Sequence, residues 1–316
     1  MRVVEITRAG PPEVLVSREV PDPPANPELL RIDVKAVGVN FADIMGRMGL
    51  YPDAPRIPYV PGYEVAGLCE GKPVVALTRF QGYADRVFVR RDQFFPLPES
   101  LSFAEGAAIP VNYATASVAL EDMSRIRKGD RVLVEQGAGG VGIAALQICL
   151  HAGAEFVGVV SSKEKADFLR ARGGKAVLRD GPIEGPFDAI LDPTGASALG
   201  RDFGLLAPGG RIVLYGASEF VRGRKRNLLS TAWRYVRRPK IDPYELANLS
   251  RGIFGLNMLT YGPEGTRRAM ARILEGARED WIKPHVGATF PLERAAEAHA
   301  FVQDRKNIGK VVLTVG

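Results

Sequence analysis

The sequence predicts an α/β protein: a doubly wound parallel sheet joined to a second, β-rich, barrel-like domain. Two observations carry this. From about residue 113, short apolar runs alternate with stretches of helical spacing, the pattern of a parallel sheet covered on both faces. Before that point the chain reads as short strands cut by Pro and Gly. A length of 316 residues allows about two domains and a core that needs no metal or disulfide. Residues 1–112 and 259–316 are assigned to the β-rich domain, and 113–258 to the sheet domain.

In chain order, residues 3–6, 30–34 and 87–89 are strand-like runs separated by Pro and Gly, with a Pro-rich connector over 21–27. Helical spacing covers 114–124, and Lys128-Gly129-Asp130 is a turn. Strands are then expected at 131–135, 156–160, 176–178, 188–192 and 211–215, with helices at 141–152 and 163–172. The tail reads as a helix over 266–275, an extended stretch over 283–290, a helix over 292–304 and a strand over 310–315.

Composition removes several function classes. Hydrophobic residues at 46% and charged residues at 25% are globular usage, not disorder. The net charge of +6 is too diffuse to predict a nucleic-acid partner. Cys69 and Cys149 make neither a disulfide framework nor a Cys-rich zinc module. Met1–Glu5 lacks the apolar run of a signal peptide, and no stretch is long and apolar enough to span a bilayer. The expectation is a soluble, cytoplasmic protein.

The strongest motif follows the strand at 131–135. Gly137-Ala138-Gly139-Gly140-Val141-Gly142 is G-x-G-x-x-G between a strand and a helix, which predicts Rossmann-type dinucleotide binding. Gly137 allows the tight turn, Gly139 lets backbone approach a pyrophosphate, and Gly142 lets helix pack on strand. Gly140 and Val141 begin the helix, whose N–H groups and positive dipole end face the anion. An NAD site places Asp or Glu at the tip of the second strand. Here that tip carries Ser161, Ser162 and Lys165, with Arg179 after the next strand, and Glu155 lies at the wrong end. Hydroxyls and cations accept a 2′-phosphate, so NADP(H) is the predicted cofactor.

Further motifs run in order along the chain: Gly38-Val39-Asn40-Phe41-Ala42-Asp43, Gly49-Leu50-Tyr51-Pro52, Pro61-Gly62-Tyr63-Glu64-Val65-Ala66-Gly67, Leu206-Ala207-Pro208-Gly209-Gly210 and Gly309-Lys310-Val311. With the glycine loop, the chain resembles the medium-chain dehydrogenase/reductase superfamily, in its zinc-free quinone oxidoreductase branch, beside the vesicle amine transport protein homologues. That resemblance implies a GroES-like catalytic domain, an active site in a cleft between the domains, and a homodimer paired through an edge strand near 252–259. Zinc-bearing relatives carry Cys where this chain has Asn40 and His where it has Tyr63, so no metal is expected. The substrate is then an intrinsic hydride acceptor, a quinone or an activated enone. An enone or enoyl reductase is the nearest alternative, and a non-catalytic NADPH-binding protein that contacts lipid or protein is a second.

The resemblance also places residues. Asn40 stands beside the nicotinamide, offering its amide to cofactor or substrate oxygen, with Thr115 opposite. Tyr51 and Tyr63 are candidate catalytic phenols, or equally the amphipathic edge of a core. Gly195, Tyr215 and Gly216 line the ribose and nicotinamide path, and Asn257, Met258 and Lys310 are further cofactor contacts. Phe41, Met45 and Met48 read as lining for a flat ring or as packing.

One segment stands apart. Arg222, Arg224, Lys225 and Arg226 precede Leu228, Leu229, Ala232, Trp233 and Val236, an apolar stripe at helical spacing, and Arg237, Arg238 and Lys240 follow. It reads either as an interfacial helix on anionic lipid or as a helix with a solvated basic face. The second is favoured, since one short basic stretch holds a membrane weakly.

Overall fold

β-Branched and aromatic residues recur through the strands, where they suit a pleated, half-buried surface. A computed structural model describes every residue except Ala25, Ala196, Arg222, Lys225 and Arg226. Among these residues the strands are β1 (Arg2–Ile6), β2 (Leu15–Glu19), β3 (Leu30–Val39), β4 (Glu64–Cys69), β5 (Lys72–Leu77), β6 (Arg86–Val89), β7 (Phe94–Pro96) and β8 (Arg131–Glu135). They continue as β9 (Glu155–Val160), β10 (Lys175–Leu178), β11 (Phe187–Asp192), β12 (Leu206–Leu214), β13 (Gly252–Gly255), β14 (Val286–Pro291) and β15 (Lys310–Thr314).

The chain forms two units. The first comprises Met1–Val111, Val221–Asn227 and Met270–Gly316, and the second Asn112–Phe220 and Leu228–Ala269. In the first, β3 is the organising strand. It pairs antiparallel with β4 along one edge and with β6 and then β15 along the other, and a register shift between Val34 and Ala36 bends it. The sheet runs β14-β15-β3-β4-β5-β7, with β1-β2 as a separate hairpin. Strand alternation turns Ile32, Val34, Val65 and Val75 inward, all buried.

The second unit is a six-stranded sheet in the order β10-β9-β8-β11-β12-β13, every pair parallel. Chain order runs outward from β8 in one direction and from β11 in the other. The reversal falls between those two strands, the switch point where such sheets bind ligands beyond the carboxyl ends. Leu133, Val157, Val159, Ile190 and Ile212 form its buried core with Phe187 and Leu206.

The expected parallel sheet is present, and several boundaries shift. The helix expected at 114–124 starts earlier, at Pro110–Ser117, because proline suits a first helical turn. Val118–Ser124 then widens into a π-helical segment that stops at Arg125, left-handed at φ 54°. The helix expected at 266–275 runs over Pro263–Arg278. β2 is exposed after its first residue, so its sequence lacks the apolar alternation that marks a strand.

Candidate functional site

β8 leads into the glycine loop through Gln136, which takes the left-handed conformation at φ 56°. The turn is therefore made by Gln136 rather than by Gly137. Its side-chain Nε2 donates to Ser218 Oγ at 2.6 Å, which ties the loop to the chain beyond β12. Gly137 is required for a different reason: a Cβ there would lie 2.6 Å from the Cα of Gly158 in β9. Gly142 in turn packs on Gly137, and its Cβ would overlap that residue's backbone. These two glycines let the helix Gly140–Ala152 press against the sheet. At Gly139 an added Cβ meets only the Gln136 carbonyl, at 3.2 Å, so backbone is open to a ligand there. The first backbone bond across the helix start runs from Ile143 N–H to the Gly139 carbonyl, leaving the N–H groups of Gly140, Val141 and Gly142 at the helix mouth. Gly140 abuts the amide of Asn112, a neighbour the motif does not announce. Open backbone, unspent donors and the dipole end fit a diphosphate.

The other predicted cofactor residues of this unit fall at the carboxyl edge of the same sheet. Ser162 caps the helix Lys163–Arg170, its Oγ accepting from Lys165 N–H at 3.4 Å. Ser161 is exposed beside it, and Arg179 is exposed and held by its N–H on the Val160 carbonyl at 2.9 Å. The four polar residues thus share one corner, the tips of β9 and β10. Gly195, left-handed at φ 103°, lies with its Cβ position 3.0 Å from Ala217, and Tyr215 N–H donates to the Asp192 carbonyl. Asn257 caps the short helix Met258–Tyr261, just beyond the point where Leu256 N–H bonds Leu214. Thr115 is buried in the helix Pro110–Ser117.

At the switch point the sequence hides a charge cluster. Glu135 ends β8 and Asp192 ends β11, both buried, and Arg201 bridges Glu135 to the buried Asp202. Two carboxylates share that guanidinium, while Asp192 accepts from Thr194 N–H at 2.5 Å. Burial raises the pKa of each, Asp202 up to about 7, and neighbouring carboxylates push Glu135 and Asp202 the same way.

In the first unit the predicted residue Asn40 sits in a buried polar triad. Its Nδ2 donates to Glu64 Oε1 at 2.8 Å, and its Oδ1 accepts from Lys310 Nζ at 2.7 Å. Lys310 and Glu64 form an ion pair, with the side chains 3% and 0% exposed. Glu64 Oε2 also accepts from Val111 N–H at 2.7 Å. Gly38 makes room: a Cβ there would overlap Glu64 and lie 2.5 Å from the Ala107 carbonyl. The structure therefore places the Asn40 amide and the Lys310 ammonium on each other and on Glu64. Glu64 and Gly38 were given no role from sequence, although a lone carboxylate in an apolar strand is a visible signal.

Asp43 lies in the next turn, in the helix Phe41–Arg47. It accepts from Asn40 N–H at 2.8 Å and Gly62 N–H at 2.9 Å, so it fixes the loop, and burial pushes its pKa up to about 7. Tyr83 links Asp43, at 3.4 Å, to His299 Nε2, at 2.8 Å. Arg47 is fully buried and donates to Gln303 at 2.6 Å. Tyr51 and Tyr63 meet edge to face at 6.2 Å between ring centres, and Phe80 packs on Tyr63 at 5.2 Å. Burial raises both phenol pKa values, that of Tyr51 to about 12, so at neutral pH each offers an O–H, never a phenolate. Met45 and Met48 are buried, the packing alternative for those two.

Among the described residues no group of three His, Cys, Asp or Glu could hold a metal ion, and no helix is long and apolar enough to cross a membrane. Arg222, Lys225 and Arg226 of the basic segment lie outside the described residues.

The family model described as "Zinc-binding dehydrogenase" matches residues 162–313. The rat (Rattus norvegicus) synaptic vesicle membrane protein VAT-1 homolog is 33% identical over 330 residues, spanning 96% of this chain and 80% of the relative. The mouse (Mus musculus) quinone oxidoreductase is 30% identical over 340 residues, spanning 99% and 97%. Among solved structures, the quinone oxidoreductase of Thermus thermophilus, determined also in complex with NADPH, superposes with a TM-score of 0.87. That match has 32% identity and covers 99% of this chain and 100% of the other.

Proposed function

We propose that this chain, which belongs to the medium-chain dehydrogenase/reductase superfamily and to its quinone oxidoreductase branch beside the VAT-1 homologues, reduces a quinone or an activated enone with NADPH and without zinc. The observation that carries the reading is the glycine loop at the switch point, where Gly137 and Gly142 stack and Gly139 stays open. When bound, NADPH supplies a hydride from its nicotinamide. The backbone at Gly139, Gly140 and Val141 holds the diphosphate. Ser161, Ser162, Lys165 and Arg179 hold the 2′-phosphate, the tip of β9 carrying two serines where an NAD site carries an acid. Gly195, Tyr215, Gly216, Asn257 and Met258 line the rest of the sheet edge, and Thr115 is assigned to the nicotinamide end.

In the first unit, Tyr51 and Tyr63 donate hydrogen bonds to the oxygen on which charge develops. Lys310 and Glu64 set the direction of the Asn40 amide. Zinc independence rests on the donors present. The family model matched over 162–313 does not reach Asn40 or Tyr63. An amide and a phenol are poor zinc ligands, and Lys310 already supplies the cation beside Glu64. A homodimer paired through the edge strand β13 belongs to the same reading, and sedimentation velocity tests it.

The deciding experiment is NADPH oxidation over a panel of small quinones and enones. Turnover with quinones is expected. Tight NADPH binding with silence across the panel would replace the enzyme with a binding protein.

A further inference from the structure

A residue other than glycine seldom holds a left-handed backbone, and where one does its surroundings enforce it. Gln136 is such a residue, at φ 56°, where β8 gives way to the glycine loop. Glycines stand close by at 137 and 139, yet the left-handed turn falls on the residue with the long amide side chain.

The sheet opens at this point. β8 and β11 are paired only as far as Val134 and Leu191, and beyond them the crevice has two walls. One wall is the glycine loop, anchored toward β9 by Gly137 N–H on the Val159 carbonyl at 3.0 Å. The other is formed by the loops after β11 and β12, laced together by backbone. Tyr215 N–H donates to the Asp192 carbonyl at 3.1 Å, Ser218 N–H to that of Pro193 at 3.0 Å, and Glu219 N–H to that of Thr194 at 3.1 Å. Gln136 Nε2 reaches from the first wall to the second, donating to Ser218 Oγ at 2.6 Å. Ser218 is buried and Gln136 half-buried, so water competes weakly for this bond.

We infer that Gln136 is a positioning residue. Its amide, presented by the left-handed turn, fixes the distance between the glycine loop and the loops after β11 and β12, and so sets where the nicotinamide end of NADPH comes to rest. The role presupposes the NADPH site proposed for this chain and adds to it a residue that touches no reacting atom. A whole dinucleotide bridges both walls and feels their separation. Its adenosine half, seated at the tips of β9 and β10, lies on one side only.

Gln136→Gly and Gln136→Asn test this role. Both residues accept a left-handed backbone, and neither brings an amide to Ser218: glycine has none, and that of asparagine is a methylene short. Ser218→Ala removes the acceptor instead. Each variant is titrated with NADPH and with 2′,5′-ADP, the half that stops short of the second wall. NADPH affinity should fall about tenfold while 2′,5′-ADP affinity stays within about twofold of the wild type. With p-benzoquinone, kcat should fall about tenfold or more, as a misplaced hydride donor requires. Gln136→Gly/Ser218→Ala should lose no more than either single variant, because the same bond is lost once. The melting temperature of Gln136→Gly should stay near the wild-type value, since relief of the strained turn offsets the lost bond. Wild-type NADPH affinity in Gln136→Gly or Ser218→Ala, equal losses for the two nucleotides, or additive losses in the double variant would overturn the role and leave the NADPH site standing. A wild type that binds neither nucleotide would overturn both.

Discussion

Glu64 is a carboxylate sealed from water, and what it touches decides what its neighbours can do. An ion pair this deep gains little over an apolar pair, but losing one partner strands the other charge. Lys310→Met should therefore cost roughly 3–5 kcal/mol in urea unfolding. Lys310→Met/Glu64→Gln should recover more than half of it, since no lone charge remains. Asp43 gives a second test. Its folded-state pKa of about 7 lies above the ordinary 3.8. The native state thus holds the proton longer than the unfolded chain. The contribution of Asp43 is complete below the ordinary value and is lost as pH rises through about 7. His299, which burial holds well below its ordinary pKa, tilts stability the opposite way. The comparison must therefore be a difference: melting temperature plotted against pH should fall toward neutrality more steeply in the wild type than in Asp43→Asn.

Elements decide where these residues can act. The tips of β9 and β10 share a corner because Arg179 N–H bonds Val160, so a cation on one strand and two hydroxyls on the other converge. Arg179→Ala should weaken NADPH binding about tenfold to a hundredfold, as loss of a charged hydrogen bond does, and leave NADH binding unchanged. Equal losses for both, read by fluorescence titration, would remove Arg179 from the phosphate site. This corner was legible in sequence because each part is local: a strand, its tip, and a cap one turn on. The buried triad was legible only in pieces. Asn40 and Lys310 could be named, but their meeting depends on β15 pairing with β3, over a separation no periodicity encodes. Gln136 was missed because glycines beside it account for a tight turn so readily. The left-handed residue is the glutamine, and the glycines are spent on packing. Strands β4 and β5 escaped because Gly67 and Pro73 inside them read as breakers, and β2 because it faces solvent after Leu15.

At the scale of the molecule, each unit has its own sheet and its own buried polar group. In the proposed reading the parallel sheet holds the diphosphate at its glycine loop and the 2′-phosphate at the tips of β9 and β10. The other unit supplies phenols held neutral and an amide held by an ion pair. The most direct measurement is NADPH oxidation with p-benzoquinone as acceptor, after exhaustive dialysis against EDTA, for the wild type and for Gly140→Asp. The substitution drives a carboxylate into Asn112 at the mouth of the loop helix. The account predicts turnover that survives chelation in the wild type and vanishes with NADPH affinity in Gly140→Asp, the fold being retained. Turnover restored only by added zinc, or wild-type affinity in Gly140→Asp, would contradict it.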